Sequence, residues 1–377
     1  MNLIADIPIN NLSFGNVGVN ILRELFKRKI KVSLFPRGDQ RDLSAFNKLP
    51  EDFKKWIEQC SEYKLHNLDK DTPTLTLWHL NGAHRRISAK QFLLTFYELE
   101  TPTFIEKNIV NFQDHTFLTT PVAVNSFKQI GCENVSFLPI GFDPDFVTHQ
   151  NDKKSVEDKI HFVLMGKYEK RKHTKEIVQT WLKKYGNDNR YLLTCCITNP
   201  FLKGEQMTAL LTQLVDGKQY SNINFLPHLK TNTEVNHLLN SADIDLTGLS
   251  GAEGWNLPSF NATALGKWSI VSNHTGHQSW ATDQNSILLP VDKKEDIYDS
   301  LFFYKGAPFN QGSMYSFDEN QVVSAMEKAV ELSSTKNTEG LKLQKEFAYE
   351  RTVDEILKVI SVKKDNTGGY LSVDNNK

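Results

Sequence analysis

Twice along these 377 residues, a short apolar run gives way to a helical run and then to a second short apolar run. In the first series "LIADIPI" is followed by the turn "NLSFGNVG". The stretch "VNILRELFKRK" then places Val19, Leu22, Leu25 and Phe26 at helical spacing, and "IKVSLFP" closes the unit. A β-α-β unit of this kind requires a parallel sheet with helices on its faces, because parallel neighbours need a crossover. Further strands are predicted at "TLTLWHL" (74–80), "HTFLTTP" (115–121) and "NVSFLPIGFDPDF" (134–146), with a helix over "PVAVNSFKQIG". The polar stretch "VTHQNDKKSVEDK" has no apolar period and reads as a linker. After it the pattern restarts with "HFVLMG", "KEIVQTWLKKYG" and "YLLTCCI". A helix over 205–215 and "NINFLPHL", "NTEVNHLLNSA", "IDLTGLS" and "SIVSN" follow, and a helix over 318–333 completes the series.

This order predicts an α/β chain of two doubly wound, Rossmann-like domains facing across a cleft. The expected divisions are 1–150 and 151–345, with a C-terminal helix over 346–362 packing back on the first domain and a flexible tail over 363–377. The length suits two cores better than one. A formal net charge of -1 gives no global attraction to nucleic acid, so no nucleic-acid partner is expected. Cys60, Cys132, Cys195 and Cys196 form no CxxC pair and no zinc spacing, which suits buried thiols in a reducing compartment. The start "MNLIADIPINN" lacks a basic n-region, and no apolar run nears the roughly 20 residues a membrane span needs. A cytoplasmic location is expected.

Three motifs carry chemistry. Gly15 and Gly18, in the turn after the first strand, would let the backbone approach a ligand at a helix N-terminus, or simply turn tightly. In "MGKYEKRKHTKE", Gly166, Lys167 and Lys172 stand at the carboxyl edge of the second sheet, where two ammonium groups suit a diphosphate. The bland reading of this run is a solvated basic face of Lys170, Arg171, Lys172 and Lys175. In "EGWNLPSFNATALG", Pro258 opens a helix whose unpaired N–H groups and dipole favour an anion. Glu253 before it could accept from hydroxyls, and Asn261 a turn inside could offer an amide. Asn256 fits a position needing positive φ.

These segments resemble the retaining GT-B glycosyltransferases of glycosyltransferase family 4 (glycosyl transferases group 1). The family's "GR-x(4)-KG" corresponds to "GKYEKRKH", with Lys167 for the arginine. Its "EGFG-LP-x-x-E-A-x-x-x-G" corresponds to "EGWNLPSFNATALG", and "NVSFLPIGFD" also has family counterparts. The resemblance implies that Glu253 holds donor-sugar hydroxyls. It implies that the backbone of Gly254, Trp255, Asn256 and Leu257 meets the sugar and diphosphate, and that Lys167 and Lys172 neutralise the departing diphosphate. The family's second glutamate, which binds ribose, is Asn261 here, so one charge-assisted bond is weakened by about 1 kcal/mol. A histidine near the donor sugar is implied in the first domain, and His79 is favoured over His84. Glu98 and Glu100 in "YELETP" are either structural or touch the acceptor.

The expected activity is therefore transfer of a hexose from a UDP- or GDP-linked sugar to an acceptor hydroxyl on a glycan, lipid or small molecule. It is expected to proceed with retention, without metal and without another cofactor. A catalytically silent GT-B module that binds a nucleotide or partner, and a sugar-nucleotide epimerase, are the alternatives. The Asp-x-Asp of "ADIDL" leads into a buried strand and is not expected to bind metal. Peripheral membrane contact would come from Arg23, Lys27, Arg28, Lys29 and Lys31, against the alternative of a solvated helix face.

Overall fold

The computed structural model describes residues 1–64, 69–148 and 159–361, together with the short pairs 363–364 and 370–371. Most of the expected linker and most of the expected tail lie outside the described residues. The first sheet holds β1 (Asn2–Ile9), β2 (Lys31–Arg41), β3 (Thr74–Leu77), β4 (Gln91–Thr95), β5 (His115–Leu118) and β6 (Val135–Phe137). Their order is β2-β1-β3-β4-β5-β6, with every pairing parallel. Helices α1 (Ser13–Lys27), α2 (Glu51–Tyr63), α3 (Phe104–Phe112) and α4 (Pro121–Gln129) make the crossovers.

The second sheet holds β7 (Ile160–Met165), β8 (Tyr191–Cys196), β9 (Ile223–Phe225), β10 (Ile244–Asp245), β11 (Trp268–Ser272) and β12 (Ile287–Leu289). It is also all parallel, in the order β12-β11-β10-β7-β8-β9. Its helices are α5 (Thr174–Tyr185), α6 (Gly204–Leu214), α7 (Asn232–Ser241), α8 (Leu257–Ala264) and α9 (Glu319–Leu332), followed by α10 (Thr338–Glu346) and α11 (Tyr349–Ser361). A small antiparallel ribbon, β13 (Lys293–Asp296) with β14 (Ser313–Ser316), leaves the second domain.

Each sheet is covered on both faces, which is why its strands are buried at consecutive positions rather than at alternating ones. Leu3, Ile4, Ala5, Ile7 and Ile9 of β1 are all buried. Helix starts follow local chemistry. Thr103 and Glu106 form a reciprocal capping box on α3, and Thr231 and Glu234 do so on α7. In both sheets the strand order reverses at one point, between β1 and β3 and between β7 and β10. Loops leaving the carboxyl ends there diverge and open a crevice.

Several ties join the domains, three of them away from the cleft. Helix α11 lies on α1, with Val353, Ile356 and Ile360 in the same core as Leu25, and Arg28 pairs with Asp354 at 2.6 Å. The segment between β13 and β14 crosses to the first domain, where its Ile297 and Phe303, with Met314 of β14, pack with Tyr97, Ile109 and Val110. There Asn310 N donates to Glu106 Oε1 at 2.9 Å, and the Tyr315 hydroxyl donates to Glu100 Oε1 at 2.7 Å. The third tie follows β6, where Asp143 and Asp145 sit beside Arg23. Asn232 of α7 donates to Asp145 at 3.1 Å, while Asn16 of α1 donates to Asn232 at 3.2 Å.

Arg23, Lys27 and Arg28 are committed to carboxylates by these and neighbouring pairs, Glu24 included. Three of the five cations of the expected lipid-facing cluster are thus engaged in ion pairs, with the Lys27 side chain still 65% exposed. All four cysteines are free and buried. Among the described residues, no helix is long and apolar enough to cross a membrane.

Candidate active site at the facing switch points

On the second domain, Gly166 ends β7 at φ 111°, a backbone state costly for other residues. Lys172, in the short turn Lys170–Lys172 before α5, lies back over it, its Cε 3.8 Å from where a Cβ would stand. The loop after β10 brings Glu253 to the same place. Glu253 is 4% exposed, and its two oxygens are divided between cations: Lys172 Nζ bonds Oε1, and Arg171 Nη1 lies 3.1 Å from Oε2. Burial alone would raise the Glu253 pKa, but Lys172 and Arg171 outweigh it and hold the carboxyl well below the usual range. It is a fixed anion.

Helix α8 then begins as expected. Asn256 adopts the left-handed conformation at φ 66°, with Pro258 in the first turn. The Asn256 amide donates to Thr247 O and to His277 Nε2, both at 2.9 Å, while Nδ1 of His277 meets Ser272 O at 2.8 Å. Both contacts fit a neutral imidazole, and burial depresses its pKa to about 4. The turn is therefore locked from behind by a histidine that spacing alone did not reveal. Asn256 Oδ1 and Asn261 Oδ1 are buried without a hydrogen-bond partner. The Trp255 ring is not available to a ligand: it is 1% exposed and packs edge-on against Phe260 and Phe347. Its residue can offer only backbone to the cleft, and its carbonyl already accepts from Trp280 Nε1 at 2.9 Å.

The first domain closes over this loop. A Cβ on Gly254 would stand 2.8 Å from Phe96 Cβ, and the Thr119 hydroxyl donates to Gly254 O at 2.6 Å. Glycine is required there because the two domains meet backbone to side chain. His79, just beyond β3, packs against Phe14 with the rings tilted by 46° and centroids 4.4 Å apart. Its ring edge is open to solvent, yet crowding by the cleft walls, then the charges of Lys167 and Arg171, hold its pKa below the ordinary histidine value. The structure thus brings His79 into the field of the second domain's cations. His84 sits exposed in the turn that follows.

Two expectations change in detail. Ser13 already opens α1, so Gly15 and Gly18 lie inside the helix and not in a turn before it. A Cβ on either would strike main chain, at 2.3 Å from Asn10 O and at 2.5 Å from Pro8 O, so both serve the packing of α1 on β1. Gly15→Ala and Gly18→Ala are each expected to cost about 2 kcal/mol through overpacking, with nucleotide affinity of the folded protein unchanged. Urea titrations with and without nucleotide check this; lost affinity at full stability would place the glycines against ligand instead.

The second change concerns charge. Lys167 pairs with Glu169 at 2.9 Å and lies over the Phe201 and Phe302 rings at 5.2 and 4.6 Å. Arg171, expected on a solvated face if the run was merely basic, is 7% exposed and also faces Glu98 at 3.1 Å and Glu169 at 3.2 Å. Lys167, Arg171 and Lys172 therefore oppose Glu98, Glu169 and Glu253, and the side chains bring no surplus of positive charge. What remains uncompensated is the N-terminal end of α8. The Asp-x-Asp carboxylates are occupied too, Asp243 by His161 N at 3.0 Å and Asp245 by the Ser259 hydroxyl at 2.7 Å.

No family model and no curated protein matches the chain. Solved structures do. Sucrose-phosphate synthase of Thermosynechococcus elongatus superposes with a TM-score of 0.67 at 12% identity, over 95% of this chain and 97% of that one. HepE of Anabaena, in complex with UDP and glucose, gives 0.64 at 13% identity over 96% and 99%. The α,α-trehalose 6-phosphate synthase of Burkholderia multivorans gives 0.63 at 12% identity over 96% and 96%. The fold is GT-B. In this GT-B chain the two strand-order reversals face each other, and Glu253, Lys172, Arg171 and His79 stand where they meet.

Proposed function

We propose that this chain is a metal-independent, retaining glycosyltransferase that moves a hexose from a nucleotide-diphosphate sugar to an acceptor hydroxyl. The observation that carries the reading is Glu253, fixed as an anion at the mouth of α8 by buried Arg171 and half-buried Lys172, in a GT-B cleft where Arg171 also meets the first domain's Glu98 and acts on its His79. Glu253 would accept hydrogen bonds from pyranose hydroxyls. Asn261 Oδ1 and the α8 entrance would receive the nucleotide side of the donor. Lys172 and Lys167 would stabilise charge on the leaving diphosphate, Lys167 by exchanging Glu169 for phosphate oxygen.

In the step itself the acceptor oxygen bonds C1 on the face from which the C1–O bond to diphosphate breaks. The bonding pair leaves with the diphosphate, whose departing oxygen takes the acceptor proton. Preformed cations and the helix terminus would supply the stabilisation otherwise given by a metal. His79, kept neutral, would donate to or accept from a donor hydroxyl without adding charge. The closed contact of Gly254 with Phe96 supports exclusion of water from the donor.

A second reading, a GT-B module that binds nucleotide without turnover, draws support from the balanced charge of the site. UDP-glucose is the first donor to test, since HepE structures hold UDP and UDP-glucose. Calorimetry with UDP-, GDP- and ADP-sugars, followed by mass spectrometry of donor with and without glycan and lipid acceptors, separates the readings. Acceptor-dependent nucleotide release supports transfer. Binding with no release supports the silent module, and a new sugar nucleotide from donor alone would identify an epimerase.

A further inference from the structure

We propose that Arg171 is a positioning residue that couples the orientation of Glu253 to closure of the cleft, using Glu98 of the first domain as its anchor. This deepens the transferase reading and rests on it for the kinetic part of the test.

The guanidinium is a planar fork whose ends reach both domains. Nη1 donates to Ala252 O at 2.6 Å and faces Glu253 Oε2 at 3.1 Å. Nη2 faces Glu98 Oε1 at 3.1 Å, and Nε lies 3.2 Å from Glu169 Oε2. Glu98 follows β4 of the first domain; the other three partners belong to the second. The main chain of Arg171 braces the same loop, its carbonyl accepting from Gly251 N at 2.6 Å and from the Ser250 hydroxyl at 3.1 Å. Arg171 thus holds the start of the loop with its backbone and the end, at Glu253, with its side chain.

Each oxygen of Glu253 has a separate cation. Lys172 is a flexible point charge and sets no plane, whereas the rigid fork of Arg171 does. With Glu98 in place, Nη2 is pinned and the plane is fixed. When the cleft opens, Glu98 departs with the first domain, the fork can turn toward Glu169, and Glu253 is left with the lysine alone. Thr119 and Phe96 meet Gly254, the next residue, so closure is felt at the same loop. Burial, with Glu253 and Glu169 adding to it, raises the Glu98 pKa, and Arg171 is the principal group opposing that rise, so the 3.1 Å contact with Arg171 is what favours the carboxylate form within the cleft.

The experiment compares the full-length protein with Glu98→Gln, Arg171→Lys and the double variant. Kinetics use the donor and acceptor that the wild type turns over. Glu98→Gln should lower kcat about tenfold with donor KM changed less than about twofold, because the lost interaction orients rather than binds. Arg171→Lys should lose about a hundredfold, and the double variant should be no slower than Arg171→Lys, since both act through one coupling. In parallel, nitroxide labels at Lys128→Cys and Lys218→Cys read the distance between domains. Both single variants should broaden that distribution toward longer distances. Unchanged kcat in Glu98→Gln, or independent losses that multiply in the double variant, would overturn the coupling. A wild type with no transfer activity would defeat the function proposed above while leaving the label distances to judge the clamp: an unbroadened distribution in both variants overturns it.

Discussion

Glu253→Ala will reduce glycosyl transfer on the order of 10²–10³-fold, the loss typical of removing one preorganised electrostatic group from a closed site. Two effects combine in that variant and must be separated. Removing the carboxylate deletes the acceptor for sugar hydroxyls. It also leaves half-buried Lys172 without its carboxylate and buried Arg171 with only Glu98 and Glu169, a change worth at most the roughly 3–5 kcal/mol of a broken buried pair. Glu253→Gln distinguishes them, since the amide keeps the shape and one acceptor. The glutamine variant should fold and melt closer to wild type than the alanine variant, yet still fall at least tenfold in kcat, because a neutral amide no longer holds the two cations. Donor kinetics beside thermal melts check this. Glutamine turnover near that of wild type would move the chemistry away from the α8 entrance.

Asp143→Asn will stabilise the protein, and more so at pH 8 than at pH 5. Asp143 is 4% exposed, and burial, then the neighbouring Asp145, push its carboxyl up to about 7. The charged groups around it are Asp145 and Arg23, with the Tyr349 ring of α11 packed nearby; Arg23 lies 4.0 Å from Asp143 but 2.7 Å from Asp145. The sign follows from proton counting. Between the ordinary carboxylate range and about pH 7 the folded chain keeps a proton that the unfolded chain releases. Stability from this group therefore falls as pH rises through that window and levels off above it. At about 1.4 kcal/mol per pKa unit, the full ionisation cost is roughly 4 kcal/mol, an upper bound on the gain from the neutral amide. Urea denaturation of both proteins at pH 5 and pH 8 cancels the other titrating groups. Parallel pH profiles would show that Asp143 ionises in the fold as easily as out of it.

The doubly wound architecture was legible because its signals are local: runs such as "LIADIPI" and "HFVLMG" are mostly apolar, and "VNILRELFKRK" carries a helical period. Where that signal weakened, elements were overlooked. Strand β4 sits in "KQFLLTF", a run too short to separate from a helical segment by period. Helix α3 shows Phe104, Ile105 and Phe112 to solvent, so its sequence lacks a clean polar face. The β13–β14 ribbon is charged and exposed on one strand and gave no strand pattern at all. At the site, Asn256 and Pro258 declared themselves through backbone requirements that only a few residue types meet. Arg171 did not. Inside "KRKH" it has the look of surface charge, and its burial depends on Glu98, 73 positions earlier and across the cleft. His277 was silent for the same reason: its partner Asn256 is brought to it by packing, not by spacing.

The placement of α11 has a practical consequence for anyone recombining this scaffold. Residues 349–361 are the last helix in sequence but cover α1, with Thr352 bonded to Pro139 O at 2.9 Å and Phe142 N to Phe347 O at 2.5 Å. A chimera spliced only between residues 148 and 159 would graft a foreign C-terminal helix onto this N-terminal half. A viable exchange needs a second crossover near residue 347, so that the inherited unit is 1–148 together with 349–361.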